Sequence, residues 1–220
     1  RANSMQTEII IAGFGGQGIL FAGQLLAYAA LDAGMEVTWI PSYGPEMRGG
    51  TANCTVTIAD EEIGAPTVRH PKAGMLFNLP SFDKYEQLIT PAGVLIANQS
   101  LIDRGFQRND LIAVMIPANE IAESLGDKRL TNMVMTGALL ELLPVLSIEA
   151  VEKSLASHLP QRHHHLLPLN SSALREGAAF ARRATPVLLL PLESRPLLFP
   201  RSEFSLEFLW LLFHTAGPAA

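Results

Sequence analysis

Short runs of apolar, β-branched residues alternate along the chain with segments in which apolar residues recur at helical spacing. The first run, residues 8–12, leads into glycines and then into residues 19–33, whose apolar positions fit one face of a helix. Gly34 is placed to end that helix, and residues 35–40 form a second β-branched run. A strand, a helix and a strand within about thirty residues predict a βαβ unit with parallel strands.

The same alternation continues to residue 183. Further strands are predicted at residues 52–59, 75–77, 93–97 and 112–116, and further helices at residues 80–88, 117–123, 132–143, 147–155 and 170–183. Continuous apolar strands are typical of sheets covered on both faces. We therefore predict an α/β fold, a doubly wound, mostly parallel sheet in a Rossmann-like three-layer sandwich, with functional residues at the carboxyl ends of the strands.

The two ends of the chain differ in character from this pattern. Residues 1–4, ahead of Met5, are interpreted as a cloning remnant, and residues 5–184 as one domain. From Thr185 onward ten leucines and five prolines occur among 36 residues with poor helical periodicity. A read-through or frame-shifted extension is the favoured interpretation of residues 185–220, and a tail that docks on a partner is the other.

Composition narrows the possible functions. The chain has 220 residues, 48% of them hydrophobic, and a formal net charge of -5, which argues against nucleic-acid binding because that needs a basic face. The single cysteine, Cys54, permits no internal disulfide and cannot alone hold zinc or an iron–sulfur cluster. The sequence shows neither a signal peptide nor a long apolar run, so a cytoplasmic protein is predicted.

A glycine loop follows the first predicted strand, with the sequence Gly13-Phe14-Gly15-Gly16-Gln17-Gly18. Its position before a helix suits the binding of an anionic group by bare backbone N–H groups. An NAD site would need an acidic residue at the tip of the second strand, where Pro41 and Ser42 stand. A P-loop would need Lys and then Ser or Thr after the last glycine, so ATP hydrolysis is not predicted. Tight strand-to-helix packing is the alternative role of the glycines.

A second motif, residues 41–51, ends the second predicted strand and offers one cation, one carboxylate, hydroxyls and a diglycine. Arg48 in this rigid loop is interpreted as an anion-binding residue, with Glu46 orienting it. Neither loop contains an evident nucleophile, so no catalytic residue is predicted. The candidate ligand-binding residues of both loops and one later helix are Gly13, Gly15, Gly16, Gln17, Gly18, Ser42, Tyr43, Glu46, Arg48, Gly49, Gly50, Thr51 and Asn132.

Read together, the two loops and the later segment Asn132-Met133-Val134-Met135 resemble the gamma subunit, or gamma domain, of 2-oxoacid:ferredoxin oxidoreductases. The resemblance covers residues 6–183. It implies a subunit of an enzyme that oxidatively decarboxylates a 2-oxoacid, transfers the acyl group to coenzyme A and passes electrons to ferredoxin. Pyruvate, 2-oxoglutarate, branched-chain 2-oxoacids such as ketoisovalerate, and indolepyruvate all remain open as substrates.

The resemblance also implies how the cofactors are distributed among the subunits. Thiamine diphosphate, Mg and the Fe-S clusters would sit on alpha, beta and delta type partners, and this chain alone would bind no cofactor and be inactive. It would contribute to the coenzyme A binding region, where the amides of residues 15–18 could meet a phosphate. Arg48 would pair either with such a phosphate or with a carboxylate of a partner subunit.

Several alternatives remain open from the residues. The chain could be a free-standing nucleotide-binding α/β module with no obligate partner. Asn132 could cap its helix or reach the site, and Tyr43 could pack on a partner, on a nucleotide ring or in a half-buried position. Cys54 is interpreted as an inert buried thiol. The run His163-His164-His165 is interpreted as a solvated or interface segment and not as a metal site, because adjacent side chains diverge.

Overall fold

A computed structural model describes residues 5–42, 51–64 and 67–184 of the chain. Its strands are β1 (Gln6–Phe14), β2 (Glu36–Ser42), β3 (Thr51–Ala59), β4 (Ala73–Leu76), β5 (Val94–Asn98) and β6 (Ile112–Ile116). Its helices are α1 (Ile19–Asp32), α2 (Leu79–Tyr85), α3 (Ala118–Ser124), α4 (Thr131–Leu142), α5 (Ile148–His158) and α6 (Leu167–Ala184). Short 3-10 helices occupy Glu86–Leu88, Lys128–Leu130 and Gln161–Leu166.

The six strands form one sheet in the order β2-β3-β1-β4-β5-β6. The β1, β4, β5 and β6 strands pair in parallel, whereas β3 is antiparallel to both of its neighbours, β1 and β2. The strands of the predicted βαβ unit, β1 and β2, therefore run in the same direction but do not pair. Only residues 43–50 connect β2 to β3, and so short a connection suits antiparallel neighbours, whereas a parallel pair needs a crossover of about a dozen residues or more.

Helices cover both faces of the sheet, which confirms the predicted α/β three-layer architecture, but the cover is uneven. The larger core lies under α1, α3, α4, α5 and α6 and contains Ile9, Ile11 and Met75 from the sheet. On the other face Phe82 of α2 packs with Ile10 of β1 in a smaller core. No helix in the described ranges is long and apolar enough to cross a membrane.

Local signals in the sequence fix several element ends. The hydroxyl of Ser147 accepts a hydrogen bond from the Ala150 N–H at 3.1 Å, so Ser147 caps the helix that was predicted to begin there. Gly34 adopts φ 78° two residues after α1 ends, which confirms its predicted role as the helix stop. The predicted remnant at residues 1–4 and the atypical segment 185–220 lie outside the described residues, and both assignments stay predictions.

Helices α4 and α6 pack backbone to backbone at two glycines. A Cβ added to Gly137 would lie 2.7 Å from the carbonyl carbon of Leu174, and one added to Gly177 would lie 2.8 Å from that of Val134. Backbone atoms cannot rotate away as a flexible side chain can, so each helix requires glycine where the other crosses it. This crossing anchors α4, which carries one of the candidate site residues.

Replacing Gly177 by alanine should therefore destabilise the fold. We expect Gly177→Ala to lower the free energy of unfolding by ~2 kcal/mol, because overpacking costs up to about 3 kcal/mol and the better helix propensity of alanine returns about 1 kcal/mol. Gly105→Ala is the matched control, since no atom lies within 4 Å of its added Cβ. Urea denaturation measures both, and equal midpoints for the two variants would contradict the close crossing.

Candidate functional site

The glycine loop connects the carboxyl end of β1 to the first turn of α1. Gly16 adopts φ 91° and Gly18 adopts φ 75° with ψ 19°, both in the left-handed region that residues with a side chain rarely enter. Gly18 is also the N-cap of α1, and its carbonyl accepts the Ala22 N–H at 2.9 Å. Glycine at these two positions is thus required by the turn that places the amino end of α1 at the edge of the sheet.

Two hydrogen bonds between Gln17 and Phe14 hold this loop together. The Oε1 of Gln17 accepts a hydrogen bond from the Phe14 N–H at 2.6 Å, and the Gln17 N–H donates to the Phe14 carbonyl at 3.3 Å. The folded-back carboxamide occupies the space beside Gly13, where an added Cβ would lie 2.5 Å from Oε1 and 2.6 Å from the Cβ of Phe77. Gln17 therefore shapes the loop, and Gly13 leaves room for it.

The remaining amides of the loop are those of three glycines. Within the part of the chain that the structure describes, the N–H groups of Gly15, Gly16 and Gly18 donate to no acceptor. They lie at the amino end of α1, where the helix dipole and unpaired N–H groups favour an anion. The loop contains no titratable side chain. The backbone donors of the loop suit an anion such as a phosphate or carboxylate.

Asn132 reaches the loop from α4, of which it is the second residue. It is 7% exposed, and its Nδ2 donates to the Gly18 carbonyl at 3.3 Å. Its Oδ1 accepts from the N–H of the next residue, Met133, at 2.9 Å. The N-cap of α4 is Leu130, which has no side-chain cap, so the predicted capping role of Asn132 is wrong, whereas its contact with the glycine loop is present.

The ends of the second motif lie at the same edge of the sheet. Ser42 is the last residue of β2 and pairs with Asn53, while Thr51 begins β3 and pairs in register with Phe14 of the glycine loop. The chain that leaves the sheet at Ser42 thus re-enters it directly beside the first loop. The candidates Tyr43, Glu46, Arg48, Gly49 and Gly50 lie outside the described residues.

Two further asparagines stand at the carboxyl ends of neighbouring strands, and the site prediction does not include them. Asn78 follows β4, is 1% exposed, and caps α2 by accepting the Ser81 N–H at 2.9 Å. Asn98 ends β5, is fully buried, and donates to Asn119 at 3.2 Å, which also accepts the Thr131 hydroxyl at 3.3 Å. Their signal in the sequence is an asparagine at or directly after the end of a buried apolar strand.

Cys54 lies on β3 beneath α1 and is fully buried. Burial raises the pKa of its thiol to about 11, and its Sγ lies 3.7 Å from the Ile19 carbonyl. Gly23 faces it so closely that an added Cβ would lie 2.5 Å from Sγ. A protonated, enclosed thiol agrees with the predicted inert role.

The three adjacent histidines lie in the 3-10 helix Gln161–Leu166, where His164 and His165 are exposed. The Nε2 of His163 accepts from Arg162 at 3.1 Å. No group of three potential metal ligands occurs in residues 5–42, 51–64 and 67–184. The arrangement agrees with the predicted solvated segment.

The enclosure of Cys54 predicts slow alkylation. A thiol with a pKa of about 11 instead of 9.0 carries about a hundredfold less thiolate at pH 8. We therefore expect iodoacetamide to modify the native chain at least about a hundredfold more slowly than the chain in urea. Mass spectrometry measures the rate, and native modification as fast as that of the unfolded chain would contradict the assignment.

The similarity of this chain to known proteins identifies its family. The profile of the family described as pyruvate ferredoxin/flavodoxin oxidoreductase matches residues 8–180. The chain belongs to the pyruvate ferredoxin/flavodoxin oxidoreductase family. It is 35% identical over 179 residues to the ketoisovalerate oxidoreductase subunit VorA of Methanothermobacter marburgensis, a match that covers 81% of this chain and 37% of that protein. The chain thus spans little more than a third of that relative.

Solved structures of the family have the same fold. The gamma subunit of a keto/oxoacid ferredoxin oxidoreductase from Geobacter sulfurreducens is 29% identical with a TM-score of 0.70, over 81% of this chain and 99% of that chain. A second neighbour is the 2-oxoglutarate:ferredoxin oxidoreductase from Magnetococcus marinus, which was solved with 2-oxoglutarate, coenzyme A and succinyl-CoA bound. It is 26% identical with a TM-score of 0.74, and the match covers 82% of this chain and 32% of that chain. The resemblance predicted from the two loops is confirmed.

Proposed function

We propose that this chain is the gamma subunit of a multi-subunit 2-oxoacid:ferredoxin oxidoreductase, which converts a 2-oxoacid and coenzyme A to acyl-CoA and reduces ferredoxin. Its membership of the family and its likeness to a gamma subunit over 99% of that subunit's length support this assignment. The chain's single cysteine is too few for an iron–sulfur cluster. The clusters, thiamine diphosphate and Mg then belong to alpha, beta and delta type partners in the cytoplasm.

The role of this subunit is to bind part of coenzyme A. The observation that carries this role is the set of N–H groups at Gly15, Gly16 and Gly18, which donate to no acceptor among the described residues and lie at the amino end of α1. These residues fit a phosphate because the left-handed turn exposes backbone donors with no side chain between them and an anion. Coenzyme A carries such phosphates, and a related enzyme has been solved with coenzyme A bound.

The second motif completes the anion site in this proposal. Thr51 returns to the sheet beside Phe14, so residues 43–50 connect two points at the edge that carries the glycine loop. Arg48 is the cation of that motif. It pairs either with a phosphate of coenzyme A or with a carboxylate of a partner subunit, and Glu46 orients it.

Replacement of Arg48 distinguishes these two pairings in the assembled complex. If Arg48 binds coenzyme A, Arg48→Ala should raise the KM for coenzyme A by about 10- to 100-fold, as expected for a lost charge-assisted hydrogen bond. If it binds a partner carboxylate, the variant should weaken copurification with the partner chains and leave that KM unchanged. Arg69→Ala, at an exposed position outside both motifs, is the control.

The identity of the subunit is tested by assembly. Coexpression with thiamine-binding and cluster-bearing partner chains should give a complex that reduces ferredoxin with a 2-oxoacid and coenzyme A, while the isolated chain should show no such activity. A pure chain that binds NAD or ATP saturably in calorimetry and joins no partner would contradict the proposal and favour a free-standing nucleotide-binding module.

A further inference from the structure

The glycine loop is held from outside by a residue 114 positions away in the chain, Asn132. We propose that Asn132 is a positioning residue, which fixes the Gly18 carbonyl and with it the orientation of the Gly18–Ile19 peptide at the end of the glycine loop, and that it does not itself touch the ligand. The inference about loop geometry stands on the contact alone. Its consequence for coenzyme A rests on the function proposed above.

Two hydrogen bonds fix the position of the Gly18 carbonyl. It accepts hydrogen bonds from the Ala22 N–H at 2.9 Å and from Asn132 Nδ2 at 3.3 Å. Because a trans peptide is planar, its carbonyl and the following N–H point in opposite directions. Holding the Gly18 carbonyl toward α4 and the first turn of α1 therefore directs the Ile19 N–H out of the helix end, toward the space beside the loop.

Packing supports the same role. A Cβ added to Gly18 would lie 2.9 Å from Cγ and 3.3 Å from Cβ of Asn132, so the Asn132 side chain fills the space that a side chain at Gly18 would need. Asn132 itself is held firmly, since its carbonyl accepts the Thr136 hydroxyl at 2.7 Å and α4 is locked against α6 at Gly137. A rigid helix thus supports a loop that its glycines would otherwise leave free to change conformation.

The two contacts of Asn132 can be separated by one substitution. Asn132→Asp keeps an oxygen to accept the Met133 N–H and adds negative charge to the first turn of α4, where it is favourable. The same substitution removes the donor to the Gly18 carbonyl and places a carboxylate against that oxygen. A residue that serves only to accept the Met133 N–H tolerates the change, whereas a positioning residue does not.

Asn170→Asp is the matched control. The Nδ2 of Asn170 also donates to a backbone carbonyl, that of Leu166, at 2.8 Å. This asparagine lies in the first turn of α6, so the control loses an equivalent donor and gains an equivalent charge without a contact to the glycine loop.

Hydrogen exchange in the assembled complex without coenzyme A tests the loop geometry directly. In Asn132→Asp we expect amides in residues 15–21 to exchange at least about fivefold faster than in the unchanged protein, and in Asn170→Asp we expect them to exchange at the original rate. Asn132→Ala, which removes both side-chain contacts, should show the same acceleration and serves if the aspartate variant does not assemble. Unchanged exchange in both Asn132 variants would overturn the inference.

Steady-state kinetics of the same complexes separates the two proposals. We expect Asn132→Asp to raise the KM for coenzyme A at least about fivefold with kcat within twofold, and Asn170→Asp to change neither. Faster exchange with an unchanged KM would support the positioning role and contradict the use of this loop for coenzyme A. A raised KM with unchanged exchange would overturn the positioning role, because Asn132 would then act on the ligand itself.

Discussion

The candidate site depends on one steric constraint, the crowding of the turn from β1 into α1 by neighbouring side chains. The Phe77 N–H donates to the Ala12 carbonyl at 2.9 Å, and the Asn132 side chain packs against Gly18. Neither Gly13 nor Gly18 has room for a Cβ, and Gly16 and Gly18 adopt backbone angles that favour glycine. Because the turn is built from bare backbone, its N–H groups are exposed to a ligand instead of being screened by side chains.

This constraint explains why local sequence predicted the first loop well. A glycine pattern between a buried strand and an amphipathic segment predicts both the turn and its position at the sheet edge. The helix cap at Ser147 and the helix stop at Gly34 are likewise encoded by residues next to the helix end. The second motif was located by the same reasoning, and Ser42 and Thr51 do lie at the edge that carries the glycine loop.

Contacts between distant segments could not be predicted in this way. The insertion of β3 between β1 and β2 is invisible to periodicity, because an apolar run has the same pattern in either direction. The hydrogen bond from Asn132 to Gly18 spans 114 positions, and the crossing at Gly137 and Gly177 depends on where two helices meet. Such contacts are set by tertiary packing, which a single sequence does not display.

In known structures this domain occurs both as a separate subunit and as part of a longer chain. It corresponds to 99% of one solved gamma subunit and to 32% of another solved chain. We propose that this domain holds an anionic part of a substrate with backbone donors while other domains carry the redox chemistry, a role that fits either arrangement. The proposed anionic part is a phosphate of coenzyme A.

The most direct test is hydrogen exchange of the unmodified assembled complex with and without saturating coenzyme A. We predict slower exchange at Gly15, Gly16 and Gly18 when coenzyme A is bound, because these N–H groups, which have no acceptor among the described residues, then donate to a phosphate. Unchanged exchange at all three glycines, in a complex that still turns over with coenzyme A, would contradict this prediction.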